Sequence, residues 1–346
     1  MKIFSRSGAL GSTLFHRSFF CNRYLIFLLI SSCILLSCGK GSSKEPPQEV
    51  DQIQSFEMAK LEYQIESQLG EGAFWDHKNS RLYWVDILGR QVHLYYPEQG
   101  QNQSFPTPSR VGTVVPQTDT TAVIALEDGA YILNNQDGTA RILASIEAEM
   151  DENRFNDGKC DPLGNLWVGS MNLAETAATG SLYKVSPQGE TENMFNPVTI
   201  SNGIVWTADG KTMYYIDTPT ATIRAFDFDL SNASISNERV AVKVPDSLGF
   251  PDGMAIDAED KLWVGMWNGN AVLRFDPETG KVIGKLEVPA HNVTSCAFGG
   301  PELDQLYITT ARVDMSPEEL QQYPLSGSVF KADVGVKGVK SSYFGN

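Results

Sequence analysis

An apolar, strand-like run returns six times along this chain, and that recurrence limits the fold more than any other feature. The runs start at Leu82, Ala122, Leu166, Met213, Leu262 and Leu306, spaced 40, 44, 47, 49 and 44 residues apart. Leu82-Tyr-Trp-Val-Asp86, Leu166-Trp-Val-Gly-Ser170 and Leu262-Trp-Val-Gly-Met266 show the pattern most clearly. Turn-forming segments such as Pro162-Leu-Gly-Asn165 and Ala208-Asp-Gly-Lys211 precede several runs. A further strand pattern follows most of them, as at Val92–Tyr96, Ile223–Asp227 and Ala271–Phe275. Short strands repeating every 40–50 residues or so are the period of a β-propeller blade, whereas a two-sheet sandwich has no such period. Helical patterning is confined to a short stretch around Ser316–Gln322. The expected fold is all-β, a six-bladed β-propeller over residues 59–346. The segment after Phe56 is expected to pair with the last blade, because an unclosed ring leaves exposed strand edges.

The N-terminus is chemically different. Residues 1–37 hold Lys2, Arg6, Arg17 and Arg23 and no acid, and they end in the apolar run Tyr24–Ser37. A basic stretch before an apolar run too short to span a bilayer reads as a signal peptide. Its end, Leu35-Leu-Ser-Cys38, resembles a bacterial lipobox, in which Cys38 becomes the lipidated first residue. Residues 38–58, rich in Gly, Ser and Pro at their start, read as a flexible tether. The expected location is the bacterial cell envelope, with the lipid on Cys38 holding the protein to a membrane and the propeller as a monomer.

Charge narrows the partners. The chain carries 27 Lys+Arg against 42 Asp+Glu, a net charge of −15 that becomes −19 once residues 1–37 are removed. Nucleic acid is therefore excluded as a partner, since its binding requires clustered cationic side chains. Only four His are present, which argues against a His-built metal centre. Cys160 and Cys296, the two cysteines beyond position 38, are expected to be separate buried thiols.

Polar residues fall in register ahead of the repeated strands. Glu71, Asn156, Asn202 and Asp252 each lie ten or eleven residues upstream of a run, in Gly-Glu-Gly, Asn-Asp-Gly, Ser-Asn-Gly and Pro-Asp-Gly contexts. Thr113 and the Ser295-Cys296 pair stand near the corresponding places in blades two and six. Any one such pair reads as a turn. Four in register in a cyclic repeat place their side chains around one mouth of the central channel. Glu71, Asn202 and Asp252 are oxygen donors with a combined charge of −2, a set suited to one hard divalent cation. The donor types leave Ca2+, Mg2+ and Mn2+ open, with no His or Cys placed for tetrahedral zinc.

Six motifs carry a family resemblance: Leu69-Gly-Glu-Gly-Ala-Phe-Trp75, Leu82-Tyr-Trp-Val-Asp-Ile87, Arg154-Phe-Asn-Asp-Gly-Lys159, Ile200-Ser-Asn-Gly203, Phe250-Pro-Asp-Gly-Met254 and Thr294-Ser-Cys-Ala-Phe-Gly-Gly300. In these the chain resembles the regucalcin/gluconolactonase family, also called SMP-30/luciferin-regenerating-enzyme-like, from about residue 64 to 335. The resemblance implies a six-bladed propeller with a divalent cation in its channel and hydrolysis of sugar lactones. It implies Glu71, Asn202 and Asp252 as metal ligands, Arg154 and Asn156 as substrate-binding residues, and Asp252 as catalytic base. The expected ion is then Ca2+ first, with Mg2+, Mn2+ or Zn2+ as alternatives. Asp157 and Glu175 are weaker matches to family positions.

The residue types agree with that chemistry. Lactone opening needs an activated water and a polarised carbonyl, which a cation and a carboxylate can supply. No Gly-x-Ser-x-Gly elbow occurs. Two other readings use the same ring: an esterase or phosphotriesterase, and a propeller that binds calcium or a sugar without turnover.

Overall fold

The computed structural model describes residues 53–346. The signal segment, Cys38 and most of the tether lie outside the described residues. Within them the chain forms six four-stranded antiparallel units. Their innermost strands are Gly70–Asp76, Val111–Pro116, Asn153–Cys160, Ser201–Trp206, Phe250–Ile256 and Asn292–Gly299. These pack side by side in that order, and the last returns to the first. The result is the expected six-bladed propeller. The one α-helix among the described residues, Pro317–Gln322, sits in blade six and begins with a capping box between Ser316 and Glu319.

Closure uses both ends of the described chain. Lys60–Tyr63 pairs antiparallel with Val329–Asp333, so the last blade takes its outer strand from the beginning of the propeller. Gln54–Ser55, inside the range assigned to the tether, adds a short parallel strand to the outer edge of blade five. The C-terminal tail makes a second fastening. Val339 N–H bonds Ile256 O at 3.1 Å, Gly345 N–H bonds Gly164 O at 2.9 Å and Phe344 N–H bonds Pro116 O at 3.0 Å. Gly338 N–H reaches Leu303 O, and the Tyr343 hydroxyl donates to Asp76 Oδ1 at 2.7 Å. The tail therefore ties five blades together where the innermost strands end.

Buried aspartates organise the turns that leave those strands. Asp161 accepts backbone N–H groups from Leu163 and Asn165 and the indole N–H of Trp167. Asp257 repeats this with Glu259, Lys261 and Trp263, and adds Arg274. Satisfying a turn's donors and a tryptophan at once lets Trp167 and Trp263 be fully buried without an unpaired N–H. Cys160 and Cys296 are both buried free thiols, as expected.

Asp76 serves the same purpose in blade one and also anchors the tail. It accepts from Arg81 Nε at 2.8 Å, from Asn79 and from Tyr343. Burial alone would raise its pKa, but the hydrogen bonds from Tyr343, Asn79 and Arg81 together hold it below the usual carboxylate value. A carboxylate whose folded pKa is depressed stabilises the fold above its unfolded pKa, and that contribution disappears as pH falls through the folded pKa. Asp76→Asn is expected to cost roughly 1.5–3 kcal/mol at pH 7, the range for hydrogen bonds to a charged group. Urea unfolding at pH 7 and at pH 3 checks this: the gap between wild type and variant should narrow at the lower pH.

Candidate active site

The residues at the channel mouth are set by register. Leu82, Ala122, Leu166, Met213, Leu262 and Leu306, the residues that open the six apolar runs, pair in that order with Trp75, Pro116, Cys160, Trp206, Ile256 and Phe298. Four positions before each of them stand Glu71, Gly112, Asn156, Asn202, Asp252 and Thr294. The ladder is interrupted by a bulge at this level in every blade, as between Glu71 and Phe74, Asn202 and Ile204, and Pro251 and Met254. A bulge re-aims a side chain without ending the strand. The polar-Gly pairs are thus bulges within innermost strands and not turns between strands.

Register also corrects two expectations. Blade two presents Gly112 at this level, one residue before Thr113, because a β-carbon on Gly112 would meet the Phe155 and Asn156 backbone at 2.6 Å. Thr113 instead donates to Gly158 O at 2.8 Å. Blade six presents Thr294, whose hydroxyl bonds Gly70 O at 2.5 Å and ties the last blade to the first. Ser295 lies one residue deeper.

Glu71, Arg154, Asn156, Asn202 and Asp252 all line one cavity of ≈ 150 Å³. The sequence-expected site residues are therefore brought together. Glu175 lines the same cavity, and its charge acts on Arg154. Asp157 does not line it; it is buried deeper, with Oδ1 accepting from Gly158 N–H at 2.8 Å.

Two carboxylates hold the approach to the ligand positions. Asp86 accepts the N–H groups of Gln68 and Leu69, each at 3.0 Å, just before Glu71. Asp217 accepts those of Thr199 and Ile200 at 3.1 and 2.9 Å, just before Asn202. The same device thus fixes the strand entries that deliver two of the three proposed ligands.

The sequence points to part of the wall, the loop from Met171 to Glu175 and Trp267, and misses Leu88, Arg110 and Val313. Arg110, Leu88, Leu173 and Val313 come from loops outside the repeated motif, and Met171 and Trp267 from the far ends of second strands. Arg110 immediately precedes an innermost strand and is paired with Glu127 at 2.5 Å, so the register of Val111 was the signal that could have found it. Trp267 closes a second strand, packs with the hydrophobic core and also lines the cavity.

Electrostatically the site is overloaded with acid. Burial, then the Asp157 charge, push Glu71 up to about 8. Burial and the neighbouring Glu71 charge raise Asp252 well above the usual carboxylate value. Asp252 Oδ1 is buried without a hydrogen-bond partner. Burial lowers Arg154 to about 10, leaving it a cation at neutral pH. A buried carboxylate pair with an unsatisfied oxygen, beside an amide oxygen, fits a hard cation. No three of His, Cys, Asp and Glu group for a metal among the described residues. A cation here would rest on two carboxylates, the Asn202 amide oxygen and water.

A six-bladed propeller with an acidic, amide-flanked channel mouth defines the class. Residues 69–312 match the model of the SMP-30/Gluconolactonase/LRE-like region, and the chain belongs to that family. It is 37% identical to the Bacillus subtilis (strain 168) protein named "Putative sugar lactone lactonase YvrE", over 81% of this chain and 96% of that one. It is 39% identical to regucalcin of Danio rerio, over 79% and 93% of the two chains. Among solved structures it is similar to the calcium-binding protein regucalcin of Agrobacterium tumefaciens, with TM-score 0.79 and 27% identity over 85% and 98% of the chains. A luciferin-regenerating enzyme gives TM-score 0.76 and 32% identity over 83% and 99%.

The acid pair leads to a stability test. A carboxyl whose folded pKa is raised costs stability once pH exceeds its unfolded pKa, and the cost grows until pH passes the folded value, about 8 for Glu71. In chelator at pH 9, Glu71→Gln is therefore expected to be more stable than wild type, by roughly 1 kcal/mol or more. Thermal unfolding with and without excess Ca2+ checks it: the cation should raise the wild-type midpoint more than the variant's.

Proposed function

We propose that this protein hydrolyses lactones of sugar acids, aldonolactones foremost, with one divalent cation at the channel mouth and Ca2+ as the favoured ion. The observation that carries this reading is the buried Glu71–Asp252 pair, with Asp252 Oδ1 unsatisfied, opening on a cavity that also holds Arg154 and Asn156. The family and the Bacillus subtilis relative named as a lactonase support it. The names of the regucalcin relatives and the calcium-binding Agrobacterium protein support the choice of ion.

Glu71, Asn202 and Asp252 would hold the cation. When bound, it supplies Lewis-acid polarisation of the lactone carbonyl and lowers the pKa of water. Asp252 takes the proton of the attacking water and later returns it to the leaving alkoxide. Arg154 holds ring oxygens of the substrate and orients the ester for attack. Trp267, Leu88 and Met171 supply an apolar wall for the C–H face of a sugar-derived ring and exclude bulk water from the reacting bond.

A second reading, a calcium-binding propeller without turnover, is favoured by the regucalcin names alone. A lactone panel assayed in chelator and after Ca2+, Mg2+, Mn2+ or Zn2+ addition separates the two. Cation binding without hydrolysis of any lactone would leave the second reading standing. At saturating cation, with occupancy measured, Asp252→Asn is expected to lower kcat by about 10²–10⁴-fold. Arg154→Ala should chiefly raise KM. Wild-type turnover in a fully loaded Asp252→Asn protein would move the base elsewhere.

The site operates at the cell envelope in this reading, with Cys38 lipidated after removal of residues 1–37. Cys38→Ser should shift the protein from the membrane to the soluble fraction or block processing. Unchanged fractionation and unchanged mature mass would overturn the anchor.

A further inference from the structure

Four hydrogen bonds form one chain across blades three, four and five. Arg154 Nη1 donates to Asn156 Oδ1 at 2.6 Å. Asn156 Nδ2 donates to Asn202 Oδ1 at 3.3 Å and to Ser201 O at 2.7 Å. Asn202 Nδ2 donates to Thr218 Oγ1 at 2.9 Å. Thr218 Oγ1 donates to Pro251 O at 2.8 Å, the carbonyl next to Asp252.

Both ends of this chain have a fixed sense. A guanidinium can only donate, so Asn156 must turn its oxygen to Arg154 and its nitrogen to blade four. A peptide carbonyl can only accept, so the single Thr218 proton is committed to Pro251. Toward Asn202, Thr218 is then an acceptor, and it draws the amide nitrogen to itself. Oxygen and nitrogen of an amide are otherwise interchangeable in shape, and only their partners decide which way it sits. Arguments from the two ends give the same orientation.

We propose that Thr218 is a positioning residue for the cation site, fixing the Asn202 amide so that its oxygen, and not its nitrogen, is offered to the cation. The inference rests on the reading of Asn202 as a ligand. Thr218 is 1% exposed and is itself held in place. It opens the short helical turn Thr218–Thr220, and its N–H bonds Ile200 O at 3.1 Å. Asp217, immediately before it, clamps the entry to the strand that carries Asn202. Backbone and side chain of the ligand are thus set by two adjacent residues. Without the hydroxyl the amide can rotate and present N–H groups, which repel a cation. Partners of this kind behind a ligand are typically worth about 10–100-fold in metal affinity.

The test is calorimetric titration of Ca2+ into the full-length chain, purified in detergent and stripped with chelator. Thr218→Val should weaken Ca2+ binding by about tenfold or more, while Thr218→Ser stays within roughly threefold of wild type. Val also leaves buried polar groups unpaired, so loss of binding could reflect a damaged fold. Asn202→Asp resolves this, because both ends of a carboxylate are oxygen and rotation has no consequence. In the Asn202→Asp background, Thr218→Val should change Ca2+ affinity by less than about threefold. An equal penalty in both backgrounds, or wild-type affinity in Thr218→Val alone, overturns the inference. If the wild type binds none of Ca2+, Mg2+, Mn2+ or Zn2+, the ligand reading itself is overturned, and the inference with it; if it binds another of these but not Ca2+, the same variants are titrated with that ion.

Discussion

Glu71 and Asp252 are buried together, and everything else about the channel mouth follows from how that is sustained. Taking one carboxylate out of water is costly, and placing a second beside it adds repulsion. A flexible scaffold would relieve both by turning a side chain outward. Here the side chains project from bulges in innermost strands that are hydrogen-bonded within their own blade and packed against the blades on either side. Asp86 further fixes the entry to the Glu71 strand. The strain cannot be released by local movement, so it is available to a bound cation, which would convert the repulsion into attraction.

Rigidity at the mouth depends on closure at the other end. A propeller closed only by its N-terminal strand opens at one seam. The tail adds hydrogen bonds to Ile256, Leu303, Gly164, Pro116 and Asp76, which belong to five different blades. Spreading of a neighbouring pair among those five blades strains these contacts. The aspartate turns act in the same direction, since each joins the end of an innermost strand to the strand that follows it.

What could be read from the sequence was what repeats. The 40–49-residue spacing gave six blades, and the polar-Gly positions gave Glu71, Asn156, Asn202 and Asp252. The assignment slipped by one residue at Thr113 and Ser295, because those blades lack the polar-Gly pair that marks the level elsewhere. Gly112 is forced by the Phe155–Asn156 backbone, a contact between blades that spacing within a blade cannot reveal. Part of the cavity wall was illegible for a related reason: Leu88 and Val313 lie on loops that differ from blade to blade. Thr218 follows a recognisable strand, yet its importance comes from meeting Asn202 and Pro251 in space.

The hydrogen-bond chain also changes what Asn156 can do. Its Nδ2 is committed to Ser201 O and Asn202 Oδ1, and its Oδ1 receives Arg154. Little capacity remains for a substrate hydroxyl, so Asn156 acts mainly by aligning its two neighbours. Arg154 uses Nη1 for these internal bonds, to Asn156 and Phe155 O, and lines the cavity. Under the proposed function, substrate and cation would share one element: a substrate that pulls on Arg154 would also pull, through Asn156, on the Asn202 amide. Affinity for the two should then be coupled, and by linkage the coupling must be the same in both directions.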